Sequence, residues 1–446
     1  MKKLFACLTL ALATLSVAAA PPNVLVILVD DLGISDLECY GATDLKSPNV
    51  DRLAREGMQF ANFYANCPVC SPTRASMMTG RVPDVVGVPG VIRSHPENSW
   101  GYLDPRAVTL PQVMKRAGYR TGMVGKWHLG LRSPNRPNER GFDWFKGFLG
   151  DMMDDYYTHR RHGTNYMYYN DREIDPQGHA TDLFTEWASE YIRYASTDTS
   201  GKPWFLYLAY NAPHTPIQPP TEWIAKVTAR EPGISDKRAK LVALIEHLDE
   251  GIGKVLADLK ESGQEDNTLV IFSSDNGGQI EVGANCKPWR DGKQSMYEGG
   301  LRVAGIARWP GHIRPGSKTG HIAATMDVMP TLAELTGVQL NHTIDGLSFL
   351  PTLLGKPGQQ THDELYFCRR EGNHRYQGLT TQALRRGDWK VLQNSPFAPI
   401  ELYNLKNDPS ETKDLAASNK PVFADMTRRL RLHIQEGGRV PWQPPR

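Results

Sequence analysis

Four short apolar runs punctuate the chain, and each stops at polar residues equipped for chemistry. Val24 to Val29 is followed directly by Asp30-Asp31, and Thr121 to Val124 leads into Gly125-Lys126-Trp127-His128. Trp204 to Tyr210 leads into Asn211-Ala212-Pro213-His214, and Leu269 to Phe272 into Ser273-Ser274-Asp275-Asn276-Gly277-Gly278. Unbroken runs of this length, separated by helical segments, predict strands buried on both faces of a parallel sheet. Open α/β sheets bind ligands beyond the carboxyl ends of their strands. The pattern therefore sets Asp30, Asp31, Lys126, His128, His214, Asp275 and Asn276 along one edge of the sheet. Any one of them alone reads as a turn residue or helix cap; the fourfold repetition favours a shared site.

The intervening helices are legible. From Ser235 or Asp236, the residues Leu241, Leu244, Ile245, Leu248, Ile252, Val255, Leu256 and Leu259 follow helical spacing until Gly263. His247 falls outside this stripe and is expected at the surface or at a cap rather than as a ligand. A second helix is predicted over Ala323 to Leu335, with Pro330 early in it or kinking it. Beyond about Gly337 the texture changes to short alternating runs, Leu365-Tyr366-Phe367, Ala383-Leu384, Trp389 to Leu392 and Glu401-Leu402-Tyr403. Turn signals at Gly387-Asp388 and Asn407-Asp408-Pro409 separate the later runs, and a helix from about Lys420 to Gln435 closes the chain. The expected fold is α/β: a large, mostly parallel sheet flanked by helices, with a smaller C-terminal antiparallel sheet and helix. The expected division is a leader over 1–20, a catalytic α/β domain over 21–337 and an α+β subdomain over 338–446.

Composition narrows the classes. Of 446 residues, 51 are Lys or Arg and 49 are Asp or Glu, a net charge of +2, so no field suited to coating a nucleic acid exists. Hydrophobic residues at 40% and charged residues at 22% exclude disordered, collagen-like and membrane-embedded chains. Lys2-Lys3 precede an apolar run from Leu4 to Ala20 that ends in small residues, the pattern of a secretory signal peptide. Thr9, Thr14 and Ser16 interrupt the run, which is short for a membrane span and is followed by Pro21-Pro22. Export to a periplasm or the medium is expected, with no stable membrane association. Removing the leader leaves Cys39, Cys67, Cys70, Cys286 and Cys368, an odd number that frees one thiol for another purpose. Cys67-x-x-Cys70 has neither a second pair to complete a zinc site nor a thioredoxin-like setting.

The segment Cys70 to Arg81 carries the sharpest chemistry. Ser71 suits an N-cap, Pro72 the first helical position and Gly80 the helix end. Cys70 is thereby placed at a helix N-terminus, where free N–H groups and the helix dipole favour an anion. Arg74, one turn in, can project back to the same point. This is a nucleophile poised to meet an anionic group. Asp30, Asp31, Asp275 and Asn276 make a hard, all-oxygen site that suits Ca²⁺ or Mg²⁺ rather than zinc.

With its neighbours, this segment resembles the type I sulfatase family of the alkaline-phosphatase-like superfamily, which includes arylsulfatases and polysaccharide sulfatases. Cys70, Pro72, Arg74, Thr79, Gly80 and Arg81 match the C-x-P-x-R signature and its T-G-R continuation. The likeness extends through Asn23 to Gly33, Gly125 to Gly130, Ala212-Pro213-His214, Ser274 to Gly278, Gly292-Lys293, Glu298 to Val303 and Glu401 to Leu415. Thr73, Met78 and Asp291 depart from the commoner residues but are conservative in role.

The resemblance implies that a maturation enzyme converts Cys70 to formylglycine, whose aldehyde hydrates to a geminal diol. It implies one Ca²⁺ per chain held by Asp30, Asp31, Asp275, Asn276 and the modified Cys70. Arg74 and Lys126 would hold and polarise the diol, Lys293 and His214 would bind sulfate and favour departure of the alcohol, and His128 would act as base. One hydroxyl would attack sulfur to leave a sulfated enzyme, and the second would expel sulfate by collapse to the aldehyde. A formylglycine-dependent phosphonate or phosphate monoester hydrolase could share the same residues. A non-catalytic glycan-binding relative would have lost a charged site residue, and none of the positions above is missing. In the Gly147 to Asn170 segment, Tyr156, Tyr157, Tyr166, Tyr168 and Tyr169 offer flat faces for sugars, and Arg160, Arg161 and His162 cationic grips, while a plain surface loop with a packed tyrosine cluster is the equally open alternative. The expected substrate is therefore a sulfated saccharide, and the expected role polysaccharide degradation.

Overall fold

The aliphatic run Asn23–Val29 is a strand whose last six residues are all buried, because parallel neighbours flank it on both sides. In the computed structural model, which describes residues 20–95, 98–371, 379–441 and 443, this strand lies at the middle of a ten-stranded sheet. The leader expected over residues 1–20 lies outside the described residues except for Ala20. The sheet order is Ser317–Ala324, Met58–Tyr64, Arg302–Arg308, Thr268–Ser274, Asn23–Val29, Trp204–Ala209, Arg120–Lys126, Trp144–Phe148, Met167–Tyr169 and Arg172–Glu173. The five strands from Thr268–Ser274 to Trp144–Phe148 run parallel, and antiparallel strands close both flanks.

Period-two alternation divides each central strand between two cores. Leu25, Ile27 and Val29 face the helices Ala180–Ser196 and Asp236–Glu261, while Val24, Val26 and Leu28 face Cys70–Thr79, Leu110–Arg116 and Val328–Thr336. A four-stranded antiparallel sheet, Leu365–Glu371, Leu379–Arg386, Trp389–Gln393 and Glu401–Asn404, follows, with the helix Lys420–Gly437 against it. This is the α/β architecture that the hydrophobic pattern predicts. Among the described residues no helix is long and apolar enough to cross a membrane.

Several local expectations are corrected. The helix at Cys70 begins on Cys70 itself with Val69 as N-cap; the Ser71 hydroxyl instead accepts from the Ile92 N–H at 3.1 Å. Ala323 and Ala324 complete a strand, so the following helix spans Val328–Thr336, with Pro330 in its first turn where no N–H is missed. His247 is buried rather than exposed, since helix Ala180–Ser196 covers that face and Asp182 pairs with the imidazole at 2.8 Å. All five described cysteines are free thiols.

The small sheet is joined to the large one by a shared core and by a buried ionic cluster. Tyr64, Met296, Leu301 and Met326 pack with Leu365, Phe367, Ala383, Leu392 and Tyr403. Lys390, fully buried, lies 2.9 Å from both Glu298 Oε1 and Glu411 Oε1, and Glu411 Oε2 accepts from the Glu298 N–H at 2.6 Å. Arg302 completes the set with 3.0 and 2.9 Å bonds to Glu298 Oε2. Removing one partner of such a cluster strands an uncompensated charge. Lys390→Met should therefore cost about 3–5 kcal/mol, read as a lowered unfolding midpoint in denaturant. An unchanged midpoint would show that the cluster contributes no stability.

Candidate active site

The carboxyl ends of the parallel strands converge on the N-terminus of the Cys70–Thr79 helix. Asp30-Asp31 follow the central strand, Lys126 ends Arg120–Lys126, Asn211 to His214 follow Trp204–Ala209, and Asp275-Asn276 follow Thr268–Ser274. The turns are tight: Asp31 and His128 adopt left-handed φ values of 67° and 57°. A Cβ at Gly277 would collide with the Gly299 carbonyl, so only glycine lets this turn pack on the loop that carries Lys293.

Arg74 ties three of these pieces together. Its Nε and Nη2 donate to Asp275 Oδ2 at 3.0 and 2.7 Å, and its Nη1 donates to the Lys126 carbonyl at 3.0 Å. Lys126 Nζ donates to Asp30 Oδ2 at 2.5 Å, and the Cys70 thiol to Asp30 Oδ1 at 3.3 Å. Lys293 Nζ donates to Asp31 Oδ2 at 2.6 Å and lies 3.1 Å from His214 Nε2. Asn276 Nδ2 donates to Asp31 Oδ1 at 2.7 Å, which leaves its own Oδ1 buried without a partner. All ten residues singled out in the sequence are thus buried at one locus, apart from Lys293, which keeps slight exposure.

The electrostatics follow from burial. Burial alone would raise the Asp30 carboxyl, but Lys126, His214 and Arg74 hold it well below its ordinary value. Burial and the charge of Asp30 push Asp275 up to about 7 despite Arg74. Burial, reinforced by Lys126 and Arg74, holds His128 well below the ordinary imidazole value, so its ring is neutral. The His128 Nε2 is engaged 2.7 Å from the Ile92 carbonyl, which leaves Nδ1 as the nitrogen with an unengaged lone pair. His214 lies 2.7 Å from the Thr215 carbonyl through Nδ1 and presents Nε2 to Lys293.

Asp30, Asp31, Cys70 and His214 offer ligand atoms within 4.8 Å of one another. Asp275 and Asn276 border this group through hydrogen bonds to the Asp31 N–H and carboxylate. Crowded buried carboxylates, one of them pushed up to about 7, and an orphaned amide oxygen fit one hard divalent cation.

Above the cluster opens a cavity of about 680 Å³ lined by Cys70, His128, His214 and Lys293, with Arg93, His95, Asp151, Arg161, His162, Gln294 and Arg369 on its walls. The sequence reading missed Arg93, His95, Asp151, Gln294 and Arg369. Asp151 follows the carboxyl end of Trp144–Phe148, a strand disguised by Lys146-Gly147 in its middle. Arg369 lies in Leu365–Glu371, where a buried charge in a strand was the available signal.

The structure divides the two readings of the Gly147 to Asn170 segment. None of its five tyrosines lines the cavity. Tyr168 lies under Arg136 and Tyr169 beside Lys146, at the sheet edge. Arg160 turns outward to Asp175 at 2.8 Å, whereas Arg161 reaches the wall and bonds Asp151 at 3.1 Å and Asp154 at 2.7 Å. Tyr156 is buried behind His214, its hydroxyl 2.8 Å from the His214 carbonyl and 3.0 Å from that of Asn211. Tyr156→Phe leaves the His214 carbonyl without this donor, at a cost of about 1–3 kcal/mol. It should lower the melting temperature and reduce kcat several-fold on any substrate; wild-type kinetics would remove Tyr156 from the support of His214.

The profile of the family described as Sulfatase matches residues 22–338, and that of N-sulphoglucosamine sulphohydrolase, C-terminal, matches residues 287–437. The chain is similar to the N-acetylgalactosamine-6-sulfatase of Sus scrofa, 32% identical over 497 aligned residues that cover 98% of this chain and 90% of that protein. It is similar to arylsulfatase A of Bos taurus, 33% identical over 458 residues covering 92% and 86%. Among solved structures, Ps i-CgsB in complex with k-i-k-neocarrahexaose superposes with a TM-score of 0.84 at 32% identity, over 94% of this chain and 93% of that one.

Proposed function

The chain belongs to the sulfatase family and is a sulfuric ester hydrolase, and from that premise we propose that it removes sulfate from a sulfated carbohydrate. We propose further that Cys70 is matured to formylglycine and that Asp30, Asp31, Asp275, Asn276 and residue 70 hold one Ca²⁺. The observation that carries the reading is the charge count of the buried cluster. Three carboxylates, Asp30, Asp31 and Asp275, face three cations, Arg74, Lys126 and Lys293. A divalent ion would keep Asp275 ionised, and added to the set of three carboxylates and three cations it leaves +2, which matches a sulfate monoester anion plus one deprotonated hydroxyl. A relative named for a galactosamine sulfate and another solved with a neocarrahexaose support the carbohydrate. The apolar leader at the N-terminus supports export before the enzyme meets such a glycan.

When present, Ca²⁺ would counter charge developing on the sulfuryl oxygens, and formylglycine would supply a hydroxyl as nucleophile. The chain's own residues do the rest. Arg74 and Lys126 are locked by Asp275 and Asp30 on the helix side of residue 70, so their positive field is in place before substrate arrives. His128, neutral and with Nδ1 unengaged, is suited to take a proton at that atom. Lys293 and His214 form a donor–acceptor pair at 3.1 Å, placed to bind sulfate and share a proton with the departing alkoxide. On the wall, the Arg161–Asp151 pair presents fixed donors and acceptors, the pattern that recognises sugar hydroxyls.

Three experiments test this. Peptide mass analysis of enzyme co-expressed with a maturation enzyme should show the aldehyde at residue 70, and Cys70→Ala should abolish turnover without lowering the melting temperature. Chelation should remove activity and Ca²⁺ restore it; full activity with an unmodified thiol, or rescue by Zn²⁺ alone, would overturn the assignment. The third concerns the wall. Asp151→Asn and Arg161→Gln should each raise KM for a sulfated saccharide about tenfold, equivalent to ~1.4 kcal/mol, with little change on a small aryl sulfate. Equal effects on both substrates would place these residues in the support of the site rather than in sugar recognition.

A further inference from the structure

A second cavity, of about 770 Å³, opens at the end of the sheet opposite the active site. It forms where the strands Arg120–Lys126 and Trp144–Phe148 begin, so about 20 Å of strand separates it from Lys126 and the catalytic cluster. None of its lining residues lines the active-site cavity. A groove of this size accommodates a small saccharide segment.

Its floor is aromatic. Tyr191, buried, packs on Trp144 with ring centroids 5.4 Å apart, and Trp144 meets Tyr169 edge-on at 5.9 Å. Trp144 and Tyr169 are half-buried, and Tyr194 on the rim keeps 63% of its surface exposed. The rim is charged and held in place. Arg120 lies 2.8 Å from Asp198 and donates through Nη2 to the carbonyls of Ala195 and Lys202 at 3.3 and 3.4 Å, which pins the turn that carries Lys202. Its guanidinium also lies 5.9 Å from the centre of the Tyr194 ring. Across the groove Lys115 pairs with Asp143 at 2.6 Å, and Glu190 with Lys146 at 2.8 Å. Lys202 is exposed and makes no ion pair among the described residues. The groove therefore carries one unneutralised positive charge.

We propose that this groove is a second binding site for a sulfated polysaccharide, remote from the chemistry, with Tyr194 and Trp144 stacking on sugar rings and Lys202 meeting a sulfate. The occupant rests on the reading that the enzyme acts on sulfated carbohydrate. Aromatic rings take the apolar C–H face of a sugar, and its hydroxyls need charged and polar neighbours such as those of the rim. A protein partner fits less well, because the centre of a protein interface is depleted in charged residues, whereas charged side chains surround this floor. A sulfate half-ester carries one negative charge, which matches the surplus at Lys202. Binding here tethers the enzyme to a polymer whose other units can reach the active site, and so raises their effective concentration there.

The test is native affinity electrophoresis of the full chain through gels containing chondroitin 6-sulfate, ι-carrageenan or unsulfated dextran, each referred to a gel without polysaccharide. Cys70→Ala is carried throughout so that no polymer is consumed, and the readout is then binding without turnover, unaffected by any failure of the formylglycine or calcium assignments. At least one sulfated polymer should retard the chain, and dextran should not. Tyr194→Ala with Lys202→Gln, both on exposed side chains, should weaken that retardation at least about fivefold with an unchanged melting temperature. Lys293→Ala, in the active centre, should leave most of it in place. No retardation by either sulfated polymer, equal retardation by dextran, or full retardation of the groove variant would overturn the site.

Discussion

The Arg74–Asp275 ion pair is the contact on which the active centre depends. Both groups are fully buried, 201 residues apart in the chain, and joined by two bonds from one guanidinium to one carboxylate oxygen. Through Arg74 the helix that begins at Cys70 is registered against the ends of three of the parallel strands, at Asp275, Asp30 and Lys126. Its third bond, to the Lys126 carbonyl, sets the backbone from which Lys126 reaches Asp30. A lysine could not replace this fork, since it has no planar array to serve Asp275 and a carbonyl at once.

Burying six charges in one place is expensive, and the fold meets the cost by pairing each with an opposite charge before any ligand binds. The reward is a positive field fixed by the protein rather than assembled by substrate. A parallel sheet suits this purpose because all of its strands end on the same side, so short turns deliver side chains from several strands to one point. The two helix layers that bury the sheet also exclude water from the cluster, which strengthens each pairing.

The small C-terminal sheet is part of the site's construction and not an appendage to it. Arg369, from its strand Leu365–Glu371, lies 3.4 Å from the carbonyl of Gln294, the residue after Lys293. Arg290 donates to the Glu411 carbonyl at 2.7 Å, and Glu411 accepts from the Glu298 N–H. The loop carrying Lys293 is therefore pinned at both ends by residues more than 70 positions further along the chain.

Much was legible from sequence because it is encoded locally. Continuous aliphatic runs announce buried strands, the residues after them lie at the strand ends, and a cysteine preceding a short Pro-containing helix with Arg74 one turn in needs no distant partner to be noticed. That determined the α/β class, nine of the ten residues gathered at one locus and the small antiparallel sheet; Lys293 was marked only by the family resemblance. Only the tertiary structure decided the walls. Asp151 and Arg369 reach the cavity because a glycine-interrupted strand and a second sheet dock beside it, and neither fact leaves a periodic mark. Tyr156 read equally as a face for sugars or as part of a packed tyrosine cluster, and it is a buried prop for His214. His247 read as a surface residue and is buried against Asp182, because helix Ala180–Ser196 covers that side. The physical reason is common to all of them: a side chain's period along its own element states which face it is on, but what covers that face is set by segments tens to hundreds of residues away.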